Sequence, residues 1–169
     1  MSIWTDLWNL FFPHSCLLCG WQLISGERVL CLKCLSRLPR TQFHLRKDNI
    51  VECNFWGKIP VEHATSFLYY AKGGNVRQLL YELKYHGNQE VGEVMGRMMA
   101  SELMCSHFFD GIDLIVPVPL HQRKKRLRGY NQSECLARGV SVVTGIPMNT
   151  KVVIRSRYTD TQRSEEHTS

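Results

Sequence analysis

Apolar residues along the chain fall into two kinds of run. In one they recur at helical spacing; in the other they are continuous. Ile3, Leu7, Leu10 and Phe11 share one face, with Pro13 as a stop, which predicts a short amphipathic helix packed on the protein. Val76, Leu79, Leu80 and Leu83 line a second helix within "GGNVRQLLYELKYHG". Asn75 is its expected N-cap, Gln78 stands at the capping-box position and Gly87 ends it. A third helix follows, with Val91, Val94, Met95, Met98, Met99 and Leu103 on its apolar side, the methionines reading as core filler. "YNQSECLARGVSVVTG" restores helical spacing, with Asn131 as N-cap and Glu134 at the matching capping-box position. The continuous runs "ATSFLYY", "IDLIVPV" and "KVVIR" are expected as strands, the second covered on both faces. Strands alternating with helices predict an α/β domain with a mostly parallel sheet over residues 61–162. Residues 41–60 are polar and aperiodic, a connector from an N-terminal unit over residues 1–40.

The 169 residues suit one ordinary domain with a small appendage, and 44% hydrophobic content is enough for a packed core. No apolar run is long enough to span a bilayer. The first residues lack a basic leader and a small-x-small cleavage site, and they carry Asp6, which argues against a signal peptide. The N-terminal helix also lacks the Lys and Arg expected at a membrane surface.

Charge sharpens the picture. The formal net charge is +6. Residues 1–110 are nearly balanced, whereas residues 111–162 hold nine basic and three acidic side chains. A field so concentrated attracts anions, phosphates first. Five of the six residues from Arg123 to Arg128 are basic, and they follow the run "IDLIVPV". The order strand, basic loop, helix N-terminus is that of an anion site at the carboxyl end of a sheet, with Pro117 and Pro119 stiffening the approach. The same run also reads as a solvated charge cluster or a generic nucleic-acid patch.

Four of the seven cysteines stand as Cys16-x2-Cys19 and Cys31-x2-Cys34. Two such knuckles suit tetrahedral thiolate ligation of a structural zinc, with sulfurs at ~2.3 Å and no open catalytic position. The segment between them reads as a small zinc ribbon, too short to fold without the metal. Two disulfides or a redox pair are the alternatives, and a reducing, cytoplasmic compartment favours the metal. Cys53, Cys105 and Cys135 read as small apolar residues.

"VPVPLHQRKKRLRGYNQSECLA" resembles the signature of the ComF family, phosphoribosyltransferase-like proteins linked to DNA uptake and natural competence. The paired CxxC, "YELKYHG" and "RSRYTDTQ" also resemble that family's segments, over residues 9–162 in all. The resemblance implies a type I phosphoribosyltransferase-like parallel sheet, incomplete here, behind the N-terminal zinc ribbon. It places Pro119, Leu120, His121 and Arg123 in the loop facing the pyrophosphate of phosphoribosyl pyrophosphate (PRPP), which binds with Mg²⁺. Arg126, Arg128, Asn131 and Gln132 match motif positions beyond that loop, and Thr159 and Gln162 begin the segment that covers the site. His121 either bonds the ligand or orients the loop. The family's strand ending in two adjacent acids, with its Thr/Gly-rich loop, has no counterpart here, which implies that the chain as written is inactive as a transferase. Arg163–Ser169, "RSEEHTS", departs from the family pattern and equals the translation of a common sequencing-adapter read, so it is expected to be an artefact fused to a truncated gene. The resemblance implies a role in DNA uptake, with PRPP, single-stranded DNA and a DNA-translocating helicase as partners and with Trp56, Tyr130 and Tyr158 as stacking candidates. A phosphoribosyl-transferring enzyme and a non-catalytic zinc-stabilised interaction module are its rivals.

Overall fold

The computed structural model describes residues 14–159. The expected N-terminal helix, Gln162 and the tail lie outside the described residues. In chain order the helices are α1 (Leu32–Ser36), α2 (Ile50–Cys53), α3 (Asn75–Tyr85), α4 (Gln89–Met104), α5 (Gln122–Arg128) and α6 (Gln132–Thr144), with a single 3-10 turn at Phe43–Leu45.

The periodic segments fold as their spacing dictates. α3 buries Val76, Leu79 and Leu83, and α4 buries Val91, Met95, Ala100 and Leu103. The N-cap of α3 is Gly74, one residue before the expected Asn75. Gln78 does not complete a capping box there; its amide donates instead to the Leu17 carbonyl and ties α3 to the first cysteine knuckle. Asn131 caps α6, its side-chain oxygen accepting from the Ser133 N–H at 3.1 Å.

α4 and α6 form the closest helix pair, and glycine makes the approach possible. A Cβ on Gly96 would stand 2.1 Å from the Leu136 carbonyl oxygen, and one on Gly139 would stand 2.2 Å from that of Glu93. Gly92, Gly96 and Ala100 thus make a smooth stripe, one residue per turn, on which α6 lies.

The expected parallel sheet is not found: the described residues contain no strand, only three isolated bridges. The phosphoribosyltransferase-like α/β fold is therefore corrected to a helical architecture with extended connections. The chemistry of "IDLIVPV" explains its part. Ile115 pairs in parallel with Met148, its N–H donating to the Pro147 carbonyl (2.9 Å) and its carbonyl accepting from Asn149 (3.0 Å). The next N–H groups on that edge would belong to residues 117 and 119, and both are proline. The ladder stops after one rung. Asn149 then accepts from the Lys151 N–H through its side chain and turns the partner chain away before "KVVIR" can pair. Neither run is covered as a central strand would be: Val118 is 69% exposed and Ile154 81%. "ATSFLYY" is held by one antiparallel bridge, Arg40 to Leu68.

The basic segment, expected as a loop, is helix α5. The ring Nδ1 of His121 accepts from the Arg123 N–H (3.2 Å) and caps its start, and Gly129 closes it at φ 80°. Lys125, Arg126 and Arg128 lie in its last turn, where cations oppose the helix dipole. No helix among the described residues is long and apolar enough to cross a membrane.

Candidate metal centre and anion-binding cavity

Each cysteine knuckle is shaped by backbone hydrogen bonds. The Cys16 N–H donates to the Trp21 carbonyl (2.8 Å) and the Gly20 N–H to the Cys16 carbonyl (2.8 Å), while Ser15 bridges Gln22. Cys31 stands at the N-cap of α1 and Cys34 within it. The Glu27 carboxylate joins the two halves by accepting from the N–H groups of Ile24 (3.0 Å) and Leu32 (2.7 Å). The result gathers Cys16, Cys19, Cys31 and Cys34 with all four sulfurs within 4.8 Å of one another. Cys19 and Cys31 are 3.7 Å apart, close to the ~3.8 Å edge of a tetrahedron with ~2.3 Å zinc–sulfur bonds.

Electrostatics of the four thiols fit a divalent cation. Burial opposes the Cys16 thiolate, yet the N–H groups of Cys31, Cys19 and Leu18, aided by the Cys19 thiol, outweigh it and bring its pKa down to about 6. Burial, then contact with the other three thiols and the charge of Cys16, pushes Cys34 up to about 12. One thiolate forms readily, and Cys19 and Cys34, both raised, resist a second charge. A bound divalent cation such as zinc would remove that repulsion and supply the missing positive charge. Cys16, Cys31 and Cys34 are buried and Cys19 is exposed, a closed structural shell rather than an open catalytic one. Of the other cysteines, Cys53 and Cys105 are exposed, so they do not serve as core residues, whereas Cys135 does.

The second site is a cavity of about 710 Å³ between α5, the start of α6 and the extended segment 150–156. Helix formation sorts the basic residues. Residues 121, 122, 125 and 126 face this cavity, while Lys124, Leu127 and Arg128 face a separate depression on the opposite side of α5. Of the positions singled out from the sequence, Pro119, Leu120, His121 and Arg126 line the cavity. Arg123 lies over the Tyr158 ring, 5.4 Å from its centroid, and Arg128 over Tyr85 at 5.8 Å. Asn131 is buried and holds the Val118 carbonyl (3.0 Å), and Gln132 accepts from Arg128 (3.1 Å). Neither lines the cavity. Thr159 accepts from the Arg155 guanidinium at 2.6 Å, and through that contact it borders the cavity.

Lys125, Glu134 and Arg155 line the cavity although none was singled out individually from the sequence as a ligand contact. Lys125 pairs with Glu134 at 3.2 Å, and Glu134 is the one carboxylate among the lining residues. Arg126 has no partner among the described residues. The cavity therefore offers two guanidinium groups, an ammonium and an imidazole against a single acid. Only the crowding of basic residues in the sequence signalled Lys125; Arg155 comes from a segment whose return to α5 no periodicity reveals. Of the stacking candidates, Tyr130 is buried and Trp56 and Tyr158 are exposed.

Comparison with known proteins gives one consistent result. The chain is 27% identical to the DNA utilization protein YhgH of Escherichia coli K12 over 168 aligned positions, which cover 90% of this chain and 71% of that protein. It is 26% identical to the protein of that name from Shigella flexneri over the same extent. The Salmonella typhimurium protein is 30% identical over 87 positions, half of this chain and 38% of its own length. No protein-family model matches the chain. No solved structure matches it.

Proposed function

We propose that this is a zinc-clipped DNA-utilization protein whose basic cavity binds a pyrophosphate-bearing small molecule of the PRPP class. The observation that carries the reading is the cavity itself: about 710 Å³, the size of a small-ligand site, with His121, Lys125, Arg126 and Arg155 converging on it. Guanidinium forks suit phosphate oxygens bidentately. The similarity to proteins named for DNA utilization supports the biological setting, a role in the uptake or use of DNA. With Glu134 the single lining acid, and already paired, the cavity has no carboxylate cage for Mg²⁺. The ion would arrive on the phosphates of the ligand. No side chain is assigned a catalytic role.

Calorimetric titration with inorganic pyrophosphate and with PRPP, each with and without Mg²⁺, tests the proposal. Saturable binding is expected, weakened about tenfold or more by Arg126→Gln or Arg155→Gln, as befits loss of a charge-assisted contact. Absence of binding to the folded chain at low salt refutes the proposal. So does binding that neither substitution changes.

A further inference from the structure

The two cysteine knuckles bury apolar side chains on their inner side and leave others open outside. A groove of about 520 Å³ is walled there by Trp21, Ile24 and Leu32, with Cys19 beside them. Trp21 is 73% exposed, and Ile24 and Leu32 are 64% exposed each. Large apolar side chains gathered at one open site mark a surface built to be covered. Cys19 is also the one exposed sulfur of the four-cysteine cluster. The groove carries an unbalanced charge. Its single lining carboxylate, Glu27, is taken by the N–H groups of Ile24 and Leu32. Lys33 and Arg37 line it too, and neither has a carboxylate partner among the described residues.

The described residues begin at the edge of this groove. The carbonyl of His14 accepts from the Leu23 N–H at 2.9 Å, and Ser15 bridges Gln22. Leu23 stands between Gln22 and Ile24, and both of these line the groove. Residues 1–13 therefore join the protein beside it. We infer that residues 3–12 dock in this groove and cover the Cys19 side of the metal centre. Their sequence suits the site. Ile3, Leu7, Leu10 and Phe11 supply an apolar face at helical spacing. Asp6 is the single charged side chain in residues 1–13, and it complements Lys33 and Arg37. A helix over these ten positions rises ~15 Å, so the face stays close to its point of attachment. A short tether also presents the segment at an effective concentration of about a millimolar, an advantage no free partner has. The consequence falls on the metal. Three of the sulfurs are buried already, so a chelator or oxidant from solution meets Cys19 first. Covering Cys19 closes that route. The inference is independent of the anion cavity, with which the groove shares no residue.

Zero-length carbodiimide crosslinking of the full chain, as an equal mixture of light and heavy-isotope-labelled protein read by mass spectrometry, tests the inference. An Asp6–Lys33 product is expected, with both ends light or both heavy. Lys125 and Glu134, paired at 3.2 Å, give an internal control. Absence of the Asp6–Lys33 product where the Lys125–Glu134 product is recovered overturns the docking. A product joining light to heavy ends assigns the groove to a second copy and overturns it as well. The crosslink is read with and without zinc, so the docking and the metal centre fail separately. A rate measurement tests the covering of Cys19. Leu7→Asp with Phe11→Asp should suppress the crosslink and speed zinc transfer to a chromogenic chelator about tenfold or more, as when an open state of roughly one in ten becomes dominant. Asn9→Asp, about half a turn from the apolar face, should leave both readouts within about twofold of the parent. Zinc transfer unchanged in the Leu7, Phe11 variant, with its circular dichroism unaltered, overturns the covering.

Discussion

Tyr130 brings a hydroxyl into the centre of the helical core, where a polar group is tolerated only with a partner. It is 8% exposed and donates to the carbonyl of Leu83. α3 ends at Tyr85, so that carbonyl is one of the last in the helix and has no intrahelical donor to meet it. The phenol closes the helix end from another element. Tyr130→Phe keeps the ring and strands the carbonyl, and should cost about 1 kcal/mol in urea unfolding at neutral pH. The pH dependence follows from the same burial. Burial, then the neighbouring Cys135, raises the Tyr130 pKa above its ordinary 10.0, while Arg128 pulls weakly the other way. A raised value means that the stabilisation of the neutral phenol is complete below pH 10 and is lost as pH climbs through the raised value. Burial also raises Cys135, so the wild-type decline begins with that thiol. The Phe variant should follow the thiol decline alone. If its stability above pH 10 falls as steeply as that of the wild type, the phenol is not the titrating group.

At the scale of elements, the α4–α6 contact rests on side chains that are missing. Glycine inside a helix ordinarily costs about 0.5–1 kcal/mol relative to alanine, so Gly→Ala at an open helical position stabilises. Gly96 inverts the sign. Its Cβ would meet the Leu136 carbonyl oxygen at 2.1 Å, the carbonyl carbon at 2.9 Å and the Gly139 Cα at 3.2 Å, all backbone that no rotamer change can move. Gly96→Ala should therefore destabilise by about 2 kcal/mol or more, read as a lower urea midpoint at unchanged slope. A variant as stable as the parent would show that the helices do not meet on this stripe. The same contact marks the limit of legibility. The apolar spacing of α3, α4 and α6 was readable, because a buried face writes itself every third or fourth residue. Gly92 and Gly96 were not, since their value depends on the partner helix. The basic helix was hidden for a related reason: with Leu127 its single apolar residue and 80% exposed, α5 has no stripe to read. The strand assignments failed because a continuous apolar run looks alike whether or not neighbours cover it. The alternate prolines at 117 and 119 were visible, but their effect on the ladder depends on which edge meets a partner.

For the whole molecule, the cysteine cluster is part of the core rather than an appendage. Cys16, Cys31 and Cys34 belong to one buried cluster with Leu79, Leu83, Val91, Met95 and Tyr130. Gln78 reaches from α3 to the Leu17 carbonyl, and Arg28 pairs with Glu90 of α4 at 3.2 Å. The pairing of the four cysteines was legible from spacing alone, whereas their union with the helices required distant residues to meet. This union sets what metal loss should do. A free-standing zinc clip would unfold alone and leave the helices intact. Here, loss of a bound ion would leave four crowded thiols, with Cys16 the readiest to ionise, against the same side chains that seat α3 and α4. Chelation of the zinc-loaded chain should therefore lower the melting temperature of the helical signal by about 10 °C or more, the shift expected for a loss of roughly 3 kcal/mol in a domain of this size. Cys16→Ser should reproduce the shift and lose stoichiometric zinc, while Cys53→Ala and Cys105→Ala, both exposed and outside the cluster, should retain metal and melting temperature. A metal-free chain whose helices melt where those of the loaded chain do would separate the clip from the core and contradict the shared packing.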